Sequence, residues 1–209
     1  MIVSLNEVES LTLKACRGAG MSWGLAEEAA QAARWLAARS CAWDSSLVAL
    51  LAQRGDVSSS HLTANDMRPV ARGAALCPVH AGAAVADLLR PGEHLTLHDV
   101  LEPAWLVPFA HRRASKVHTA RITWSNGEME TGAADARLLS FDRLDWIRIE
   151  LSAAHAPAAD ADPAGSRSSG APIDPSAWTT LEAWAARTYV AASLQSRLAG
   201  AGAGLSDND

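Results

Sequence analysis

The sequence predicts an α+β fold, with a helical first third and a central antiparallel sheet of about four to five strands. Three observations predict it. Apolar side chains recur at helical spacing through residues 1–55. Alternating apolar and polar residues follow in the middle third, where Asn126-Gly127 is a strong hairpin signal. A last helix is expected to begin near residue 175, after a stretch with almost no large apolar side chain.

Two helices are expected at the start of the chain. Ser4 and Glu7 have the spacing of a capping box, in which each side chain accepts a hydrogen bond from the other residue's backbone N–H. The first helix ends at the glycines of Arg17-Gly18-Ala19-Gly20, and Ser22 is placed to cap the second helix. A third, shorter helix is predicted from about Ser46 to Gln53.

Strands are expected in the middle third of the chain. Residues 55–75 are polar, so we expect them to be irregular. Strands are predicted around Leu95–Val100, Lys116–Trp124 and Leu144–Leu151, where apolar residues alternate or β-forming residues cluster. Prolines interrupt or flank the apolar run Trp105–Phe109, which predicts an edge or irregular strand there.

The remaining residues suggest one domain with three parts. Residues 1–152 are the predicted α+β core, and residues 153–175, rich in Ala, Asp, Pro, Ser and Gly, are a predicted flexible linker. Asp174 and Pro175 suit the N-cap and the first position of a helix. Residues 176–209 are therefore predicted to be a C-terminal helix and a glycine-rich tail that pack back on the core.

Composition excludes several classes of protein. The chain has 209 residues, 49% hydrophobic and 20% charged, as one globular domain would. Its net charge of −5 gives no sign of a nucleic-acid partner. Its apolar runs are too short for a membrane-spanning helix, and no secretory signal is recognised. The three cysteines are scattered, which is typical of a reducing compartment. We therefore expect a cytoplasmic protein with neither a nucleic-acid nor a membrane partner.

The first candidate site is the loop that contains Arg17, Gly18, Gly20 and Trp23. A glycine loop that enters a helix exposes backbone N–H groups able to hold an anion, and Arg17 adds a positive charge. The alternative is a glycine cap and a turn that bind nothing. The acidic side chains at 27 and 28, in the next helical turn, favour this alternative because they already supply negative charge. The spacing matches neither a Walker loop nor a dinucleotide motif.

A second glycine-rich segment, Gly200-Ala201-Gly202-Ala203-Gly204, lies near the other end of the sequence. Arg197 precedes it and Asp207 follows it, so its charges complement those of the first loop if the two segments meet. The alternative is a frayed tail. We predict a ligand site between the two segments, for which the possible ligand is a small anionic molecule. The predicted site residues are Arg17, Gly18, Gly20, Trp23, Glu27, Asp87, Arg197 and Asp207.

Metal binding and covalent catalysis have weaker support in the sequence. Cys77 and His80 have a spacing found in zinc sites, but no second ligand pair accompanies them. His94 and His98 are too far apart for one ion, because four strand residues span ~13 Å. A small buried cysteine before a turn proline is the favoured alternative at Cys77. We predict no metal and no cofactor, and no catalytic residue is assigned, so the question of enzymatic activity stays open.

Several motifs point to a family. They are Ser4-Leu5-Asn6-Glu7, Arg17-Gly18-Ala19-Gly20, Trp23-Gly24-Leu25-Ala26-Glu27-Glu28 and Arg34-Trp35-Leu36 at the start, then Cys77 to Asp87, and Thr188 through Arg197 to the glycine tail. The chain resembles an uncharacterised bacterial family, domain of unknown function 3726. The resemblance implies that both glycine segments and the tail belong to one module. It implies no activity, cofactor or catalytic residue.

Two functional hypotheses follow. The first is a small-molecule or anion-binding protein, an enzyme or enzyme subunit among the options, with its site between the two glycine segments. The second is a structural or accessory subunit whose Ala- and Trp-rich helices pack against a partner or a second copy in a homo-oligomer. Convergence of the charged candidate residues on one pocket favours the first hypothesis, and their scatter over the surface favours the second.

Overall fold

The computed structural model describes residues 1–53, 60–114, 118–130, 141–153 and 170–189. Within these ranges the chain forms six α-helices, a six-stranded mixed sheet and a separate two-stranded sheet, which confirms the predicted α+β class. None of the helices in the described part of the chain is both long enough and apolar enough to cross a membrane.

Four helices form one side of the molecule: α1 (Leu5–Gly18), α2 (Trp23–Ala37), α3 (Trp43–Ala52) and α6 (Pro175–Ala185). The capping box of α1 is present as predicted. The Glu7 backbone N–H donates to the Ser4 hydroxyl at 3.2 Å, and the Ser4 N–H donates to the Glu7 carboxylate at 2.7 Å. By contrast, Ser22 occupies the N-cap position of α2 without making a side-chain cap bond.

The start of α6 is joined to the start of α1. Strand β1 (Ile2–Ser4) pairs with β8 (Gly170–Pro172), and Ile173 is buried directly after β8. Asp174 then caps α6 by accepting a hydrogen bond from the Ser176 N–H at 2.8 Å, as the Asp-Pro signal predicted. The linker was predicted over residues 153–175, but both ends of that range take part in the fold. Residues 154–169 lie outside the described residues.

The large sheet has the strand order β2-β3-β4-β7-β5-β6. Its strands are β2 (Ser60–Leu62), β3 (Asp66–Pro69), β4 (His94–Leu101), β5 (His118–Trp124), β6 (Gly127–Glu130) and β7 (Arg143–Ala153). The Asn126-Gly127 hairpin joins β5 to β6 as predicted. The sheet is mixed, not purely antiparallel, because β3 runs parallel to β4. The prediction of irregular structure over residues 55–75 is wrong for β2 and β3. The apolar pattern of these two strands is weak, because Met67 is the only one of their seven residues that is buried.

Two proline-containing segments are helical where the sequence analysis expected a strand or a turn. Helix α4 spans Pro78–Leu88, and a 3₁₀ turn at Pro103–Leu106 leads into α5 (Val107–Arg113). In each segment a proline occupies the first or second helical position, where its missing N–H is not needed. The edge strand predicted for Trp105–Phe109 is therefore wrong, and so is the simple turn predicted at Pro78.

The buried side chains form two cores. The helical core lies among α1, α2, α3 and α6, and the sheet core lies between the large sheet and helices α4 and α5. Both α4 and α5 contribute to each core: Val79 and Phe109 to the helical core, Val85 and Ala110 to the sheet core. These two helices therefore form a shared middle layer.

Candidate functional site

Helices α1 and α6 approach each other closely at Gly18. A Cβ atom placed on Gly18 would lie 1.8 Å from the carbonyl oxygen of Trp184, far inside any real contact distance. Only glycine permits this approach of two backbones. The glycine that ends α1 is therefore required for the packing of α6, a role distinct from the anion contact that the loop sequence suggested.

A groove of about 380 Å³ lies between α1 and α6. Its volume falls within the range of small-molecule sites in proteins, about 300–1,000 Å³. Apolar and aromatic side chains are interspersed with charged ones along its walls. The lining residues are Glu7, Ser10, Leu11, Lys14, Trp178, Glu182, Ala185, Ala186 and Tyr189.

One positive and two negative side chains line the groove, and they differ in the interactions that they make within the protein. The Lys14 ammonium lies 6.0 Å from the centroid of the Tyr189 ring, at the outer limit of a cation–π contact. Hydrogen bonds from the backbone and side chain of Ser4 lower the pKa of Glu7 and hold its carboxylate in the helix cap. Among the described residues neither Lys14 nor Glu182 has an ion-pair partner. These two side chains are the charges that the groove offers to a ligand.

The loop between α1 and α2 follows the C-terminal end of α1. The Arg17 guanidinium donates a hydrogen bond to the carbonyl oxygen of Met21 and lies 4.4 Å from the centroid of a Trp23 ring. Trp23 is 63% exposed. Gly20 has a φ of +86°, which requires a glycine-like backbone. Arg17 thus closes its own loop and supports an exposed indole.

The structure brings together part of the predicted site. Arg17, Gly18, Gly20 and Trp23 share one loop, and Glu27 is exposed one turn further along α2. Asp87 is exposed in the last turn of α4, and no hydrogen bond or ion pair joins it to that loop within the described residues. Arg197, Asp207 and the second glycine segment lie outside the described residues.

Sequence reasoning missed the charged and aromatic residues of the groove, namely Lys14, Trp178, Glu182 and Tyr189. Their proximity depends on the packing of α6 against α1, which no local pattern encodes. One signal was available: Lys14 is one of only two lysines in a chain of 18 basic residues.

The described residues contain no cluster of three or more His, Cys, Asp or Glu side chains that could hold a metal ion. Cys77 occupies the N-cap position of α4, and His80 is exposed in the first turn of that helix. His98 instead bonds a carboxylate: its Nε2 lies 2.8 Å from the Asp66 Oδ1, which lowers the pKa of Asp66. The His98–Asp66 pair joins β4 to β3.

Residues 3–77 match the model of a protein family described as a protein of unknown function (DUF3726). The match confirms, over these residues, the family resemblance predicted from the sequence. It covers α1, α2, α3 and the first two strands of the large sheet. No curated protein and no solved structure is significantly similar to the chain.

Proposed function

We propose that the protein binds a small amphoteric molecule, one that carries both an anionic and a cationic group, in the groove between α1 and α6. One observation carries the proposal: an ammonium and a carboxylate without ion-pair partners among the described residues line the same groove of about 380 Å³. Lys14 would contact the ligand's anionic group, and Glu182 its cationic group. The predicted ligand was an anion, and Glu182 is the reason to add the second charge.

The apolar part of the ligand has a surface to contact. Leu11, Trp178 and Tyr189 line the groove beside the two charges. Aromatic side chains provide large apolar contact areas, and Tyr and Trp also provide hydrogen-bonding groups at their tips. A flat apolar group attached to an amino-acid-like end fits this arrangement of walls and charges.

Three probes with the same ring and different charges test the proposal. Phenylalanine carries both charges, 3-phenylpropionate only the negative one, and 2-phenylethylamine only the positive one. We expect phenylalanine to bind best in isothermal titration calorimetry. Exposed ion pairs contribute about 0.2–1 kcal/mol each, so removal of either ligand charge should weaken binding about 1.4- to 5-fold.

Two variants assign the charges. Lys14→Gln should remove the advantage of phenylalanine over 2-phenylethylamine, and Glu182→Gln should remove its advantage over 3-phenylpropionate. Arg72→Gln is the charge-matched control for Lys14→Gln, because Arg72 is exposed and does not line the groove. Equal binding of the three probes, or equal effects of Lys14→Gln and Arg72→Gln, would contradict the proposal.

A second candidate function, an accessory subunit, is favoured by the exposure of Trp23. Trp and Arg are both enriched among the energetically dominant residues of protein interfaces. The alanines of α2, which suggested helix packing against a partner, are instead buried within this chain. Sedimentation velocity on the wild type and Trp23→Ala tests the candidate. If the wild type self-associates and Trp23→Ala does not, the accessory-subunit hypothesis is supported. If the wild type is monomeric, a second copy of this chain is not the partner.

We also propose that the protein works in the cytoplasm. Cys16, Cys41 and Cys77 form no disulfide with one another. Cysteines that stay out of disulfides are typical of reducing compartments, where disulfides do not persist. Fractionation of the source cells with an antibody against the chain tests this location.

A further inference from the structure

The end of β4 contains two non-glycine residues in the left-handed region of the backbone. Asp99 has a φ of 53° and Glu102 a φ of 43°. Such conformations are unfavourable for residues with a Cβ and persist only where the surroundings hold them. The surroundings of Asp99 are evident: Arg143 Nη2 lies 3.1 Å from its carboxylate, and its carbonyl oxygen accepts a hydrogen bond from the Leu76 N–H at 2.7 Å.

Glu102 has no such partner for its side chain. It is only 8% exposed, and among the described residues no hydrogen bond or ion pair reaches its carboxyl group. Only its backbone is held: its N–H donates to the carbonyl oxygen of Asp142 at 2.8 Å, and its carbonyl oxygen accepts from the Trp105 N–H at 3.0 Å. Buried ionised carboxylates are normally paired, because burial without a partner is costly.

The charged groups on the elements around this corner do not neutralise Glu102. The Asp142 carboxylate repels it. The 3₁₀ turn Pro103–Leu106 has no charged side chain, and both His80 and Asp87 on α4 are exposed. The arginines on α2, α5 and β7 have other partners: Arg34 with Glu9, Arg112 with Glu28, Arg113 with the Leu89 carbonyl, Arg143 with Asp99, and Arg148 with the Thr96 hydroxyl.

We propose that Glu102 is a proton-binding site: with the proton bound, the corner between β4 and the 3₁₀ turn is closed, and loss of the proton near neutral pH opens it. The neutral carboxyl group is compatible with a buried position beside Asp142. The carboxylate requires more water than the small exposed fraction of this side chain admits, so its formation displaces residue 102 from its left-handed conformation. This inference is independent of the groove between α1 and α6.

The titration properties of Glu102 agree with this geometry. Burial raises the pKa of Glu102 to about 7, and the neighbouring Asp142 carboxylate adds to the effect. In the unfolded chain the pKa is that of an ordinary glutamate, near 4.5. The folded state therefore binds the proton more tightly. Stability from this site is complete below about pH 4.5 and is lost as the pH rises to 7.

The corner is connected to both cores. The backbone bond between Glu102 and Trp105 fixes the 3₁₀ turn, and the buried Trp105 side chain donates to the Ser46 hydroxyl on α3 at 2.9 Å. Leu106, the next residue, belongs to the sheet core. Opening at Glu102 therefore changes contacts in the helical core and in the sheet core together.

Urea unfolding of the full chain from pH 5 to pH 8.5 tests the proposal, with Glu102→Gln as the neutral analogue. Relative to the variant, the folding equilibrium constant of the wild type should fall about 10- to 75-fold between pH 5 and pH 8.5. Histidine titrations are common to both proteins and cancel in the comparison. Parallel pH profiles of the two proteins would overturn the proposal.

A direct measurement keeps the test decisive if Glu102→Gln does not fold. In the wild type labelled with ¹³C at the glutamate carboxyl carbons, one resonance should titrate near pH 7. Asp142→Asn should move that midpoint to lower pH, because it removes the repelling charge. Amide hydrogen exchange at Trp105 should be faster at pH 8 than at pH 6 after correction for the intrinsic rate. A midpoint near 4.5, or one unmoved by Asp142→Asn, would overturn the assignment.

Discussion

Helix α2 and the large sheet bury side chains of different size, although the helical core also holds Trp43, Trp105 and Phe109. Helix α2 buries six alanines, whereas the sheet core buries branched and larger side chains such as Leu97, Ile122, Ile147 and Ile149. Small side chains allow helices to approach closely, as α1 and α6 do at Gly18. Large side chains fill the wider space between a sheet and the helices that cover it. The difference teaches that the close contacts between helices are vulnerable to added atoms, and the packing of the sheet is vulnerable to removed ones.

The largest effect is expected from removal of atoms in the sheet core. Ile147 is fully buried on the central strand β7, between β4 and β5. Ile147→Ala should lower the free energy of unfolding by about 2–5 kcal/mol, because it loses apolar burial and leaves a cavity. Urea unfolding monitored by circular dichroism measures this. Ile2→Ala, at a site 73% exposed, is the control and should change stability by less than about 0.5 kcal/mol. Similar losses in both variants would remove the basis of the comparison.

A smaller but still large effect is expected from addition of one carbon atom in the helical core. Gly18→Ala should destabilise the protein by about 1–3 kcal/mol or more, since the new methyl group meets the Trp184 carbonyl and forces α1 and α6 apart. Gly24→Ala is the matched control: a Cβ there meets nothing within 4 Å. Because alanine favours the helix over glycine, that variant should gain up to about 1 kcal/mol. Thermal unfolding of both variants checks the opposite signs. Equal shifts would show that Gly18 serves only to end α1.

The smallest effect compares two helix starts within the helical core. Ser4 caps α1 with a side-chain hydrogen bond, whereas Ser22 starts α2 without one. Ser4→Ala should cost about 1 kcal/mol, and Ser22→Ala should cost much less. Differential scanning calorimetry of the two variants at one pH resolves the difference. Equal losses would mean that Ser22 also caps its helix in solution.

The parts of the fold that depend on neighbours in sequence were predictable. The capping box at Ser4, the Asp174-Pro175 helix start and the Asn126-Gly127 hairpin are each set by contacts within a few residues, and all three are present. Helices α4 and α5 were missed, because the prolines at their starts are also compatible with turns and edge strands. The parallel pairing of β3 with β4 was missed because it depends on the intervening α4 crossover, not on either strand's composition.

The candidate site was predictable only where it lies within one loop. Arg17, Gly18, Gly20 and Trp23 are neighbours in sequence, so the glycine pattern located them. Lys14 and Tyr189 meet only because α6 packs on α1, and the close approach at Gly18 that permits this is invisible until the partner helix is known. The strain at Glu102 was hidden for a similar reason: it results from burial at a corner that several distant segments build.

The pairing of β1 with β8 has a consequence for the order of events during protein synthesis. The Met1 amino group donates to the Ile173 carbonyl oxygen across 172 positions of the chain. A ribosome that adds about 5–20 residues per second needs roughly 10–30 s to make that intervening stretch. For that time α1 has left the ribosome while β8 and α6 do not yet exist, and the face of α1 that α6 later covers stays open to water. The nascent chain therefore exposes this face of α1 until α6 has been translated.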